Sequence, residues 1–190
     1  MLNLHDKLGA FYAERSRYFQ KRFNRAVPFG DTVVDRWEKA RMLGFGKNTS
    51  IYDSALVLGD VRVGSNVWIG PHVVLDGTGG GLCIGSYCSI SAGVQIYTHN
   101  SVGWAVTGGQ QAYMAKPVTI GSCVYIGPNV TIAAGVSIGD HVIIGAHSFV
   151  NKNVKSQTFV AGVPAIPQKK IIFISEKEYQ LEDIRKEKSK

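Results

Sequence analysis

Four histidines of this 190-residue chain, His72, His99, His141 and His147, each stand three residues after an aliphatic residue of a six-residue period. An imidazole ionises near neutrality, so it can take a proton from a hydroxyl and return it to a leaving group. Three of the four read as exposed turn residues. His99 differs because it opens a long interruption of the period, Tyr97 to Pro117, and Asp76 opens an earlier one made of Gly77-Thr78-Gly79-Gly80-Gly81. The pattern sets Asp76 within one coil's height of His99. A carboxylate there either accepts hydrogen bonds from the hydroxyls of a bound molecule or fixes the tautomer of the imidazole, and both roles stay open at this point.

The period itself defines the element that must position these residues. Fourteen units carry an aliphatic anchor: Ile51, Val57, Val63, Ile69 and Leu75, then Ile84, Ile90 and Ile96, then Ile120, Ile126, Ile132, Ile138, Ile144 and Val150. Most anchors have a second apolar or small residue two positions earlier, such as Val67, Cys88, Val124 and Val142, and many are followed by Gly. Residues two apart on a strand share a face, so each unit predicts a short strand, one inward face and a tight turn. No such unit buries its apolar face alone, which predicts a solenoid. With three units per triangular coil, Leu75 and Ile96 share a face and both interruptions leave the same corner. Long loops on a regular scaffold carry function, so this corner is the expected site.

Other chemistries are weakly represented. There is no Gly-x-Ser-x-Gly elbow and no Cys/His pair at a recognisable site. His141 and His147 fall on different faces of a three-unit coil without an acidic cluster, so no metal is expected. The three cysteines, Cys83, Cys88 and Cys123, lack paired metal-ligand spacing and are expected to be reduced core or near-core thiols. The net charge of +7 lies outside the repeats: residues 51–166 hold four basic and four acidic side chains. Mixed signs on helical flanks without an aromatic-interleaved basic motif argue against nucleic acid.

Residues 3–25 place Leu4, Leu8, Phe11, Tyr12, Phe19 and Phe23 at helical spacing, predicting an amphipathic helix that Pro28-Phe29-Gly30 ends. A second helix is expected from Asp31 or Thr32 through Val34, Trp37 and Met42 to Gly44 and Gly46. These helices are expected to cap the solenoid's open end, with contact to a membrane surface the less favoured role. A short strand, Ile171 to Ile174, should precede a charged helix or tail from Ser175 to Lys190. The domain reading is a cap over 1–50, a repeat domain over 51–168 with an inserted loop 97–117, and a tail over 169–190. Without a membrane span or an apolar leader region, a cytoplasmic location is expected.

Several segments in a fixed order carry a family resemblance. They are Tyr97-Thr98-His99-Asn100, Lys116-Pro117-Val118-Thr119-Ile120-Gly121, Val124-Tyr125-Ile126-Gly127-Pro128-Asn129-Val130, Val136-Ser137-Ile138-Gly139-Asp140, Ile144-Gly145-Ala146-His147-Ser148 and Val160-Ala161-Gly162-Val163-Pro164-Ala165. Together they resemble the hexapeptide-repeat acyltransferases, in the branch of xenobiotic, galactoside and maltose acetyltransferases. Leu75-Asp76-Gly77-Thr78-Gly79-Gly80 is similar to sugar O-acetyltransferases that act on surface polysaccharides or their precursors.

The resemblance implies a mainly β protein, a left-handed parallel β-helix with N-terminal helices and a short C-terminal helix. It also implies a homotrimer with sites between subunits, acetyl-CoA as co-substrate, and His99 as general base. Asp76, Asn100, His72 and Trp104 are the candidate acceptor contacts. Tyr125, Gly127, Ala146, Ser148, Asn151, Lys152 and Pro164 are the candidate contacts to the thioester arm and nucleotide, with Lys169 and Lys170 near the phosphates. The chain departs from the pattern at Asn100, where relatives often carry Pro, and at Tyr125, where Trp is usual. Its N-terminal helices also differ from the usual start of maltose or galactoside acetyltransferases. The expected reaction is acetyl transfer to a sugar hydroxyl. The alternatives are N-acetylation of a nucleotide-linked amino sugar and a non-catalytic trimeric scaffold. Trp104, Tyr113 and Met114 in the long loop suit either stacking on a sugar or packing against a neighbouring subunit.

Overall fold

The computed structural model describes residues 3–184. Each repeat unit forms a strand of two or three residues that ends on its anchor, and the strands stack in parallel three units apart. Ser50-Ile51 pairs with Trp68-Ile69, Tyr125-Ile126 with Ile143-Ile144, and Thr131-Ile132 with Phe149-Val150. Three faces result. The first carries Ile51, Ile69, Ile90, Ile126, Ile144 and Val160, the second Val57, Leu75, Ile96, Ile132 and Val150, and the third Val63, Ile84, Ile120 and Ile138. All the anchors except Val57, in the first coil, are buried and form one continuous core with the apolar residues two positions before them. Burying such a side chain contributes about 1.5–3 kcal/mol, which is why the period persists through the chain.

Most regular turns place the residue three past the anchor in left-handed backbone, including His72 (φ 56°), Cys123 (φ 60°), His141 (φ 55°) and His147 (φ 58°). Outside glycine this conformation is uncommon, and it marks these three histidines as turn residues. His99 occupies the same offset but lies in the extended strand His99–Asn100, because the inserted loop replaces its turn.

The N-terminal segment forms three helices, α1 (Leu4–Phe23), α2 (Phe29–Val33) and α3 (Arg36–Met42). The single second helix expected from the sequence is therefore divided. Val34 is extended and Asp35 caps a new helix, its carboxylate accepting from the backbone N–H groups of Trp37 and Glu38. The buried Asp31 carboxylate ties α2 to the first coil by accepting from Asp53 N and Ser54 Oγ, while Lys39 Nζ reaches the carbonyls of Tyr52 and Asp53. Ala40 and Phe45 complete the core below Ile51.

The C-terminal expectation is corrected. Residues 178–183 form a strand, not a helix, and residues 185–190 lie outside the described residues. Ala165–Ser175 turns back on Thr158–Gly162 through Val163-Pro164 and pairs in antiparallel fashion with Glu178–Asp183. Tyr179 and Leu181 alternate with polar residues and sit opposite Phe173 and Ile171, a period of two that the many charges of the tail disguise.

The thiol reading holds for Cys88, which is buried, and fails for Cys83 and Cys123, which are exposed. Cys83 points outward between Leu82 and Ile84, and Cys123 occupies a turn. Burial pushes the Cys88 thiol above its ordinary range. In native protein at pH 8, two thiols are expected to react with a disulfide reagent and the third only after denaturation. Three fast thiols would contradict this packing. Because the folded-state pKa of Cys88 is raised, its share of stability is present below the ordinary thiol range and is lost as pH rises through the folded value.

Candidate active site

The corner between the second and third faces is irregular in three successive coils. In the second coil, one strand, Val74–Ile84, runs through the corner from face to face, pairing Leu75 with Ile96 and Ile84 with Ile120. Its glycines are required by close approach. A Cβ on Gly77 would collide with the Asp60 carbonyl oxygen of the coil before, and one on Gly79 with the Thr98 carbonyl oxygen and the His99 side chain of the coil after. Gly80 and Gly81 have φ of 114° and 97°, values that L side chains rarely adopt.

This strand seats Asp76 beside His99. Asp76 is 2% exposed, and its Oδ2 lies 3.0 Å from His99 Nδ1. Its Oδ1 accepts from the Thr78 backbone N–H at 2.9 Å and from the Thr78 hydroxyl at 2.6 Å. The Thr78 oxygen is also 3.1 Å from Nδ1. Of the two roles open for Asp76, the geometry is that of a group orienting the imidazole. With Nδ1–H donated to the carboxylate, the Nε2 lone pair is free, and the His99 side chain remains 36% accessible to solvent. The preceding residue is pinned: Thr98 is fully buried, its Oγ1 accepts from Gly79 N at 2.8 Å and its carbonyl from Lys116 N at 2.8 Å. Thr78 and Thr98 were not singled out from the sequence. For Thr78 the signal is an Asp with a hydroxyl residue two positions later, a spacing that suits a local carboxylate turn.

The long loop folds on itself. His99–Asn100 pairs with Met114–Ala115, α4 (Val102–Val106) follows, and Trp104 meets Tyr113 edge to face with centroids 5.8 Å apart. Both rings stay half exposed. The Asn100 side-chain oxygen accepts from Val102 N at 3.2 Å, so that amide also shapes the loop. His72 stands at the corner between the first and second faces, and one chain does not bring it to His99.

The residues expected at the donor end are spread around the coil. Tyr125, 44% exposed, and the buried Gly127 lie at the first face, Ala146 is at the turn after it, and Asn151 and Lys152 are exposed at His99's own corner two coils on. Tyr125 borders a groove of about 210 Å³ between the coils and the C-terminal hairpin, lined also by Cys123, His141, Phe173 and Tyr179. Pro164 is exposed at the hairpin bend. The Ser148 side chain is buried, with its hydroxyl donating to the Gly145 carbonyl and accepting from Gly162 N, so the side chain holds the last coil. Lys169 is in mid-strand 3.7 Å from Asp183, and Lys170 lies opposite Glu182. Among the described residues no group of three or more His, Cys, Asp or Glu side chains is arranged to hold a metal.

Residues 117–152 match the family model for the bacterial transferase hexapeptide, six repeats. Residues 117–152 carry the hexapeptide repeat of bacterial transferases. Among solved structures, this chain is similar to a point mutant of AntD, an N-acyltransferase from Bacillus cereus, in complex with dTDP and coenzyme A. That likeness has 25% identity and a TM-score of 0.61 over 66% of this chain and 72% of that one. It is also similar to a hexapeptide-repeat-containing acetyltransferase from Vibrio cholerae O1 biovar eltor complexed with acetyl coenzyme A, at 24% identity and a TM-score of 0.52 over 86% of this chain and 88% of that one. The second likeness is one of fold. Among curated proteins no sequence matches the chain.

Proposed function

We propose that the chain transfers an acetyl group from acetyl-CoA to a hydroxyl of a sugar or polysaccharide precursor, directly and with His99 as general base. The observation that carries this reading is the buried Asp76 carboxylate on His99 Nδ1, which leaves Nε2 as the proton acceptor. A hydroxyl is a poor nucleophile until its proton has somewhere to go, and an oriented neutral imidazole supplies that. His99 takes the proton as the acceptor oxygen attacks the thioester carbonyl, a backbone N–H stabilises the oxyanion, and the imidazolium returns the proton to the departing CoA thiolate. Asp76 stabilises the imidazolium between these two transfers. Ester and free CoA leave, and the enzyme regains its starting protonation.

Asn151 and Lys152 at the corner of His99, and Tyr125 on a groove at another face, suit an extended donor held between copies of the chain. In this reading the enzyme is a cytoplasmic homotrimer of left-handed β-helices. Residues 1–50 form its cap, 51–168 its catalytic domain and 169–190 its tail. A neighbouring copy would supply the donor contacts that one chain keeps apart. The likeness to AntD favours a second reading, acylation of the amine of a nucleotide-linked sugar.

Acetyl-CoA is expected to bind in a calorimetric titration, and CoA release is expected to depend on one member of a panel of sugars and nucleotide sugars. A product cleaved by mild alkali is an ester, and one that survives is the amide of the second reading. No acetyl-CoA binding would leave only a non-catalytic scaffold.

A further inference from the structure

The helical segment holds a surface that acyl transfer does not use. α1 has no buried residue, and its main contact is with α2. Two attachments fix it there: the Arg15 guanidinium donates twice to the Thr32 carbonyl, at 3.0 and 2.7 Å, and the Phe29 ring meets Phe11 and Tyr12 edge to face. Apolar side chains of the helix nevertheless keep part of their surface open to solvent, most of all at its start, with Leu4 72% exposed and Leu8 52%, against Phe11 42%, Tyr12 43%, Tyr18 49% and Phe23 48%. Side chains four, seven, eight, fourteen and nineteen positions after Leu4 lie on one side of a helix, and Arg15 stands on that side too, so α2 covers the middle of the stripe and leaves its N-terminal end, Leu4 and Leu8, uncovered.

Positive charge is gathered on the same arm. Residues 3–25 carry Lys7, Arg15, Arg17, Lys21, Arg22 and Arg25 against Asp6 and Glu14, while residues 51–166 are balanced. Among the described residues, the ion pairs involve none of these cations. No helix among the described residues is long and apolar enough to cross a membrane. An aromatic and leucine stripe flanked by arginine and lysine, on a helix that cannot span, matches the chemistry of an interface between lipid tails and anionic headgroups. Apolar side chains enter the acyl boundary, tyrosines sit at headgroup depth, and long cationic side chains reach the phosphates.

We propose that α1 docks this protein on the surface of an anionic bilayer through the end of the stripe that α2 leaves uncovered, Leu4 and Leu8, with the basic side chains of the helix at the headgroups. The neutral repeat body offers a second copy of the chain no charge complement to this arm, whereas an acidic lipid surface does. The proposal does not rest on the acetyl-transfer reading, and its test needs no acceptor.

The test is flotation of the full chain with vesicles of phosphatidylcholine alone or with about one third phosphatidylglycerol. The vesicle-bound fraction is expected to be at least roughly tenfold higher on the anionic vesicles and to fall away in 0.5 M salt. Two double variants isolate the two contributions. Leu4→Ser with Leu8→Ser removes apolar contact, and Lys21→Glu with Arg22→Glu reverses charge, and each is expected to lose most binding while circular dichroism keeps its helical signal. Absence of wild-type flotation overturns the proposal, as does equal binding to both vesicle types. So does a result in which Leu4→Ser with Leu8→Ser changes the sedimentation of the protein while flotation is unaffected, since α1 would then be an interface between copies.

Discussion

His99→Ala is expected to lower acetyl transfer about 10²- to 10⁴-fold, with the melting temperature close to that of the parent protein. The imidazole is the group at the corner that can take a proton and return it, and no second histidine stands beside it in one chain. Its loss removes base and acid together, so the rate that remains reflects what holding donor and acceptor in one cleft achieves without proton transfer. Folding is spared because His99 is partly exposed and the strand is held by its neighbours: Thr98 bonds Gly79 and Lys116 through its own atoms. Steady-state CoA release against an acetyl-CoA titration checks both points. Turnover within a few-fold of the parent would remove His99 from the mechanism.

Asp76→Asn tests the orientation rather than the base, and its expected loss is also large, roughly 10²-fold or more. Two donors from Thr78, its backbone N–H and its hydroxyl, converge on one carboxylate oxygen of Asp76. An asparagine in the same pose must put its carbonyl oxygen there, because the backbone N–H cannot be turned away. Its NH₂ then faces His99 Nδ1, where the carboxylate stood 3.0 Å away. Nδ1 becomes an acceptor, the imidazole proton moves to Nε2, and the nitrogen meant to receive the acceptor's proton already carries one. Nitrogen NMR of labelled histidine should report the changed tautomer, a readout that simple loosening of the corner would not give. Full activity together with an unchanged tautomer would mean that Asp76 serves only to fold the glycine strand.

The repeat body was legible because its signal is redundant. An aliphatic anchor every six residues, with a small apolar partner two positions before it, gives each coil its register whatever the rest of the chain does, and thirteen of the fourteen anchors are buried. The shared corner followed from counting alone: Leu75 and Ile96 are three units apart, and the structure pairs them. The elements outside the repeat were less legible. Asp35 starts a new helix through a local cap on Trp37 and Glu38 that the apolar spacing does not register, and Glu178–Asp183 becomes a strand because pairing with Ala165–Ser175 overrides local propensity.

What the sequence determined without help, then, is the spacing that stacks three-unit coils and lifts Asp76 and His99 to one edge, because burial of a periodic apolar face admits a single register. The tertiary structure decided which atoms meet there. Only coordinates show that Asp76 points at Nδ1, that Thr78 holds the carboxylate from its other side, that Ser148 is consumed within the last coil, and that Lys169 faces Asp183. These outcomes depend on side-chain direction and on partners far apart in sequence, and a pattern of residue types along one dimension does not carry that information.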